Sequence, residues 1–120
     1  MEYKIPISNK DYYKAMLMVL NFNLKLSELE MDILCTMLNN GMYEVNIDTR
    51  EVIRKVLDKD KFMTNNYIKR LRNKQVLLDK QGSNRVYYIN PIIMNIINDR
   101  KVSFEFNVIN LDNEDNTLPD

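Results

Sequence analysis

Histidine is missing from this chain, and cysteine and glycine are scarce: the one thiol is Cys35, and the two glycines are Gly41 and Gly82. Without imidazole there is no general base of the usual kind, no Ser-His-Asp or Cys-His arrangement, and little means of building a zinc site. Two isolated glycines are too few for a phosphate-cradling loop, so P-loop and dinucleotide fingerprints are excluded. One cysteine forms no internal disulfide and fits a reducing compartment. No apolar run reaches the length of a membrane span, and the first residues, Met1 to Pro6, lack the apolar stretch of a secretory signal. The carboxylate pairs Asp58/Asp60 and Glu28/Asp32 sit in strongly polar surroundings with lysines nearby, which reads as solvated charge and not as acid/base machinery. The expectation is a cytoplasmic protein that is not an enzyme, with no metal and no cofactor.

What remains is a chain of 120 residues, 45% hydrophobic and 28% charged, which is a globular composition and enough for one modest core. Its formal charge is zero. Between Lys61 and Asn90, however, seven cations (Lys61, Lys69, Arg70, Arg72, Lys74, Lys80 and Arg85) face Asp79 alone, a local net of +6. A neutral protein with one concentrated basic segment suggests a defined anion-binding surface, not a general polycation.

Tyr3, Ile5 and Ile7 alternate with polar or proline positions and predict a short edge strand. Ser8 or Asn9 then caps a helix over about 9–22 that is apolar nearly all round, so it requires cover on more than one side. A second subunit and burial within the monomer are equally good covers. Ser27 and Glu30 form a capping box opening a helix over 27–40, with Met31, Ile33, Leu34, Met37 and Leu38 on its core face and Asn39, Asn40 and Gly41 as its left-handed stop. Cys35 lies on the flank of that stripe and reads as a packed thiol. Val45 to Ile47 predicts a short strand, and Asp48 to Glu51 a second capping box for a helix over 48–57 burying Val52, Ile53, Val56 and Leu57.

Thr64 is expected to cap the next helix, which extends to about Gln75. Strands over 76–80 and 85–90 follow, joined through Gly82 and Ser83 in a type II′ turn. Asn90 and Pro91 cap and open a helix over 91–98, again apolar on most sides. Val102, Phe104, Phe106 and Val108 alternate with polar residues and predict a C-terminal strand over 102–108 able to pair with 3–7. Residues 112–120 are acidic and expected to be disordered. The fold class is α+β, mainly helical, with one domain over 1–111.

Rotating residues 64–75 by 100° per position puts Thr64, Tyr67, Ile68, Leu71 and Gln75 on one side, with Asn66, Lys69, Arg70 and Asn73 roughly opposite. Asn65 and Arg72 fall on one flank and Lys74 on the other. An exposed face of amides and cations suits base edges: Asn bonds adenine N6 and N7, and Arg or Lys bonds guanine O6 and N7. The expected base-reading residues are Asn65, Asn66, Lys69 and Arg70, with free amides near Thr64, and Arg72 and Lys74, meeting phosphates. Lys80, Ser83, Asn84 and Arg85 around the hairpin turn suit phosphate or minor-groove contact, although a solvated tip explains them almost as well.

With helices at 27–40, 48–57 and 64–75 followed by a hairpin at 76–90, the stretch 27–98 resembles small winged helix-turn-helix DNA-binding proteins of plasmid and phage type. The segment from Arg85 to Pro91 resembles the closing strand of their wing. The resemblance implies site-specific binding of double-stranded DNA by a homodimer joined through 9–22 and 91–98. Its role would be that of a transcriptional regulator or a replication, partition or conjugation accessory factor of a mobile element. The alternative is a winged-helix module docking an acidic protein partner, such as a polymerase, replication or virion component. Net neutrality leans that way.

Overall fold

The computed structural model describes residues 4–100, Glu105 and residues 107–109. It is α+β and mainly helical: a 3₁₀ turn at Asn9–Asp11, then α1 (Tyr12–Leu24), α2 (Glu28–Asn39), β1 (Glu44–Val45), α3 (Ile47–Leu57), α4 (Lys61–Asn73), β2 (Leu77–Asp79), β3 (Tyr87–Ile89) and α5 (Pro91–Asn98). The strands form an antiparallel sheet in the order β1-β3-β2.

Local chemistry sets the helix ends. At α2, Ser27 Oγ accepts from the Glu30 amide at 3.2 Å, and Glu30 Oε1 accepts from the Ser27 amide at 2.7 Å, satisfying two N-terminal donors reciprocally. Its other end closes as a Schellman motif. The Met42 amide donates to Met37 O at 2.8 Å, and the Gly41 amide donates to Leu38 O at 3.2 Å. Gly41 takes the required positive φ of 65°.

The expected starts of the next two helices are corrected. For α3 the cap is Asn46, whose Oδ1 accepts from the Thr49 amide at 3.0 Å, not a box over 48–51. Thr49 Oγ1 instead donates to Glu44 O at 2.6 Å, anchoring the helix to β1. Ile47, expected in the strand, is the first residue of α3 and is 84% exposed. Val56, expected in the core, is 58% exposed. For α4 the cap is Asp60, whose side chain accepts from the Met63 amide at 2.7 Å. Thr64 lies one turn inside.

The helix α4 gives way to β2 through Gln75 at a left-handed φ of 63°, with the Val76 amide donating to Leu71 O at 3.0 Å. Asn90 fixes the base of the hairpin: its amide donates to Val76 O and its Nδ2 to Gln75 O, both at 2.9 Å, while its Oδ1 caps α5 at the Ile92 amide, 3.0 Å away. The expected two-residue turn is not formed. The Lys80 amide donates to Val86 O at 3.0 Å, leaving five residues to close the loop. The Ser83 amide turns back to Lys80 O at 3.2 Å, with Gly82 at φ 78° and Arg85 at φ 63° supplying the left-handed positions.

The core gathers Leu17 of α1, Ile33, Leu34 and Met37 of α2, Ile53 of α3, Ile68 and Leu71 of α4, Val76, Leu77, and Ile97 of α5. Burying each such side chain stabilises the fold by about 1.5–3 kcal/mol relative to exposure. Because Ile68 and Leu71 hold one side of α4 against α2 and α3, Lys69 and Arg70 must face outward.

The predicted strand over 3–7 is also corrected. Residues 4–7 are irregular and exposed, and none of them pairs with a strand among the described residues. The expectation of a strand over 102–108 falls largely outside the described residues, as does that of a disordered tail over 112–120. Glu105, Asn107 and Val108 themselves are not in a strand.

Candidate nucleic-acid interface

One side of the molecule carries a groove of about 1030 Å³ bounded by α3, α4 and the β2–β3 hairpin. Six cations line it (Arg50, Arg54, Lys61, Lys69, Arg72 and Arg85) against two carboxylates, Asp48 and Glu51. Of the residues expected from sequence to bind DNA, Asn65, Lys69, Arg72, Asn84 and Arg85 meet here. Asn66, Arg70 and Asn73 lie on the exposed side of α4, and Ser83 is exposed in the hairpin loop. Thr64 is 2% exposed, so its side chain is turned inward, and its hydroxyl has no hydrogen-bond partner among the described residues.

Tyr87 organises the hairpin side of the groove. The guanidinium of Arg50 lies 5.7 Å from its ring centroid and that of Arg72 lies 5.9 Å away, so two cations flank one aromatic ring. Arg50 Nη2 also donates to Arg85 O at 2.8 Å, fastening α3 to the hairpin loop. Arg70 on α4 lies over Tyr67 at 4.6 Å, which limits the rotamers of an exposed cation.

Three of the expected phosphate-contacting cations have carboxylate partners within the chain. Arg72 forms a two-pronged pair with Asp79, Nε to Oδ1 at 2.7 Å and Nη2 to Oδ2 at 3.0 Å. Those bonds hold the Asp79 carboxyl below its ordinary range and push the Arg72 guanidinium still higher. Lys80 Nζ reaches both Glu44 oxygens at 3.2 Å, joining the hairpin to β1. Lys74 Nζ donates to Glu30 Oε1 at 2.7 Å and to Lys25 O at 3.1 Å, which turns it toward α2. Burial pushes the Glu30 carboxyl upward, but the hydrogen bonds from Lys74 and Ser27 outweigh it and leave the group below its usual value.

Arg50 and Arg54 are groove cations that the sequence did not single out, and Lys61, counted there in the basic segment, joins them. The one sequence signal of Arg50 and Arg54 is their i, i+4 spacing, which places both on one face of α3. Only the packing of α3 against α4 and the hairpin turns that face into part of a groove.

A second, mainly apolar hollow of about 630 Å³ lies between α1 and α2, with Leu17, Met18, Met31, Cys35 and Leu57 in its wall. Burial pushes the Cys35 thiol above its ordinary value, and Asn39 Nδ2 lies 3.4 Å from Sγ. Among the described residues, no group of three or more His, Cys, Asp or Glu side chains could hold a metal ion. Among the same residues, no helix is long and apolar enough to cross a membrane. Compared with protein-family models, with curated proteins and with solved structures, the chain matches none.

Proposed function

We propose that the chain is a winged-helix protein that binds double-stranded DNA site-specifically, with α4 in the major groove and the β2–β3 hairpin as the wing beside it. One observation carries this reading. The order α2-β1-α3-α4-β2-β3, with β1 paired to β3, sets the amide-and-cation face of α4 next to a basic groove shared with the hairpin. A 13-residue helix is about 20 Å long, and the major groove is about 12 Å wide, so the outer face of α4 fits across base edges. Lys69, Asn66 and Asn65 serve as base readers, with Arg70 positioned by Tyr67, and Asn84 and Arg85 meet the backbone at the hairpin.

The protein acts as a homodimer in this proposal. Tyr12 Oη donates to Ile97 O at 2.6 Å, joining α1 to α5 within one chain. Met18 on α1 and Ile92 on α5, 56% and 70% exposed, offer apolar surface to a second copy. Two recognition helices related by a two-fold axis would meet half-sites about 34 Å apart. The biological role is regulation or nucleoprotein assembly on a mobile element.

A second reading, docking of an acidic protein partner, is favoured by the internal pairing of Arg72, Lys74 and Lys80, which lowers the charge offered to phosphates. A salt titration of duplex binding by fluorescence anisotropy separates the two. Contacts to several phosphates predict a log–log slope of about −3 to −5, whereas weak, salt-insensitive association with duplex would favour the protein partner.

A further inference from the structure

The groove holds a feature that the outer face of α4 does not explain. Among the described residues, Arg50 Nη1 and Arg54 Nε are buried nitrogen atoms with no hydrogen-bond partner. Both arginines line the groove, one helical turn apart on α3. Cationic N–H groups are among the costliest donors to bury without an acceptor, and a native structure leaves few of them so. Arg54 already uses Nη1 on Glu51 Oε2 at 3.2 Å, and Arg50 already uses Nη2 on Arg85 O. The chain's own acceptors therefore satisfy one edge of each guanidinium and leave another atom of each without an acceptor.

We propose that Arg50 and Arg54 form a phosphate seat in this groove. Two guanidinium groups offering separate N–H donors suit a tetrahedral oxyanion with several acceptor oxygens. Six cations against Asp48 and Glu51 leave the groove lining a net +4, or +3 with Asp79 set against Arg72, more than one carboxylate ligand would neutralise. The cation–π contact of Arg50 with Tyr87 and its bond to the hairpin loop hold the seat in place before any ligand arrives. The phosphate oxyanion has two sources, a backbone phosphodiester or a free phosphate group. The diester form rests on the duplex-DNA reading and adds to it: α3, and not α4 alone, fixes the register of the protein on the backbone.

The test compares wild type with Arg54→Gln and, as a charge-matched control, Lys55→Gln. Lys55 is exposed on α3 and does not line the groove. Arg54→Gln removes one ion pair to a surface glutamate and is compatible with the fold. Two readouts are taken: the salt slope of duplex binding, and the Nε–Hε resonance of Arg54 during titration with inorganic phosphate. A backbone seat predicts a slope shallower by about 1 in Arg54→Gln and unchanged in Lys55→Gln. If wild type ignores duplex but its Arg54 resonance shifts saturably with phosphate, the seat stands for a free phosphate and the DNA reading falls. If duplex binds with the same slope in all three proteins and phosphate leaves the resonance in place, the seat is overturned while the DNA reading stands. Failure of both duplex binding and the phosphate shift overturns both.

Discussion

Lys74 Nζ lies 2.7 Å from Glu30 Oε1, and this bond ties the C-terminal end of α4 to the first turn of α2. Glu30 is only 1% exposed, and its Oε1 also accepts from the Ser27 amide. One carboxylate thus caps its own helix and receives the ammonium of another. The position of the proposed recognition helix against α2 depends on an ion pair that is buried on one side and wet on the other.

That joint gives a pH dependence. The Glu30 carboxyl is lowered on folding, so its stabilisation is present above the ordinary glutamate value of 4.5 and is lost as pH falls through the folded value. Lys74→Met removes the charged donor and lets burial raise the Glu30 carboxyl. The expected result at pH 7 is a loss of about 1.5–3 kcal/mol, the range for hydrogen bonds to charged groups. Acid unfolding, followed by circular dichroism, should begin at a higher pH than in wild type. An unchanged acid transition would remove Lys74 from the joint.

Thr64 gives a prediction of the opposite sign. Its hydroxyl is buried without a partner among the described residues, so Thr64→Val replaces an unsatisfied polar group by a methyl of similar shape. The expected change is neutral to stabilising, up to about 1–2 kcal/mol, read as an upward shift of the denaturant midpoint. Duplex affinity should not change, since the side chain faces inward. A marked loss of affinity would return Thr64 to the binding face.

Tyr12→Phe tests the link between the two apolar helices. The hydroxyl donates to Ile97 O at 2.6 Å and to Asp99 O at 3.3 Å. Burial, opposed in part by Arg100, keeps the phenol above its ordinary value and therefore a donor at all moderate pH. Losing it should cost about 1 kcal/mol and speed amide exchange in α5 before other helices. Equal protection of α5 in both proteins would contradict the link.

The sequence carried the local instructions well and the non-local ones poorly. Ser27 with Glu30, and Asn90 with Pro91, are caps written in neighbouring residues, and both helices start where those residues put them. The starts of α3 and α4 were less legible because several nearby residues can cap, and the choice of Asn46 and Asp60 depends on where β1 ends and where α3 releases the chain. Beginning α4 one turn earlier did not rotate its faces, since phase depends only on spacing. Ile68 and Leu71 are buried and Lys69 and Arg70 exposed, as the 100° rotation predicts. Ile5 and Ile7 misled because alternation is a local pattern, whereas a strand needs pairing that the local pattern does not encode. Arg50 and Arg54 gave only their i, i+4 spacing, because a groove arises from three elements that meet only after folding.

The central claim, site-specific duplex binding through α4, is tested most directly by selection from randomised duplex DNA with wild type and with Lys69→Ala/Arg70→Ala. Both residues are exposed, so the double variant should keep its fold. The account predicts that wild type enriches one motif and that the double variant enriches none. No enrichment by wild type, or the same motif recovered by both proteins, would contradict it.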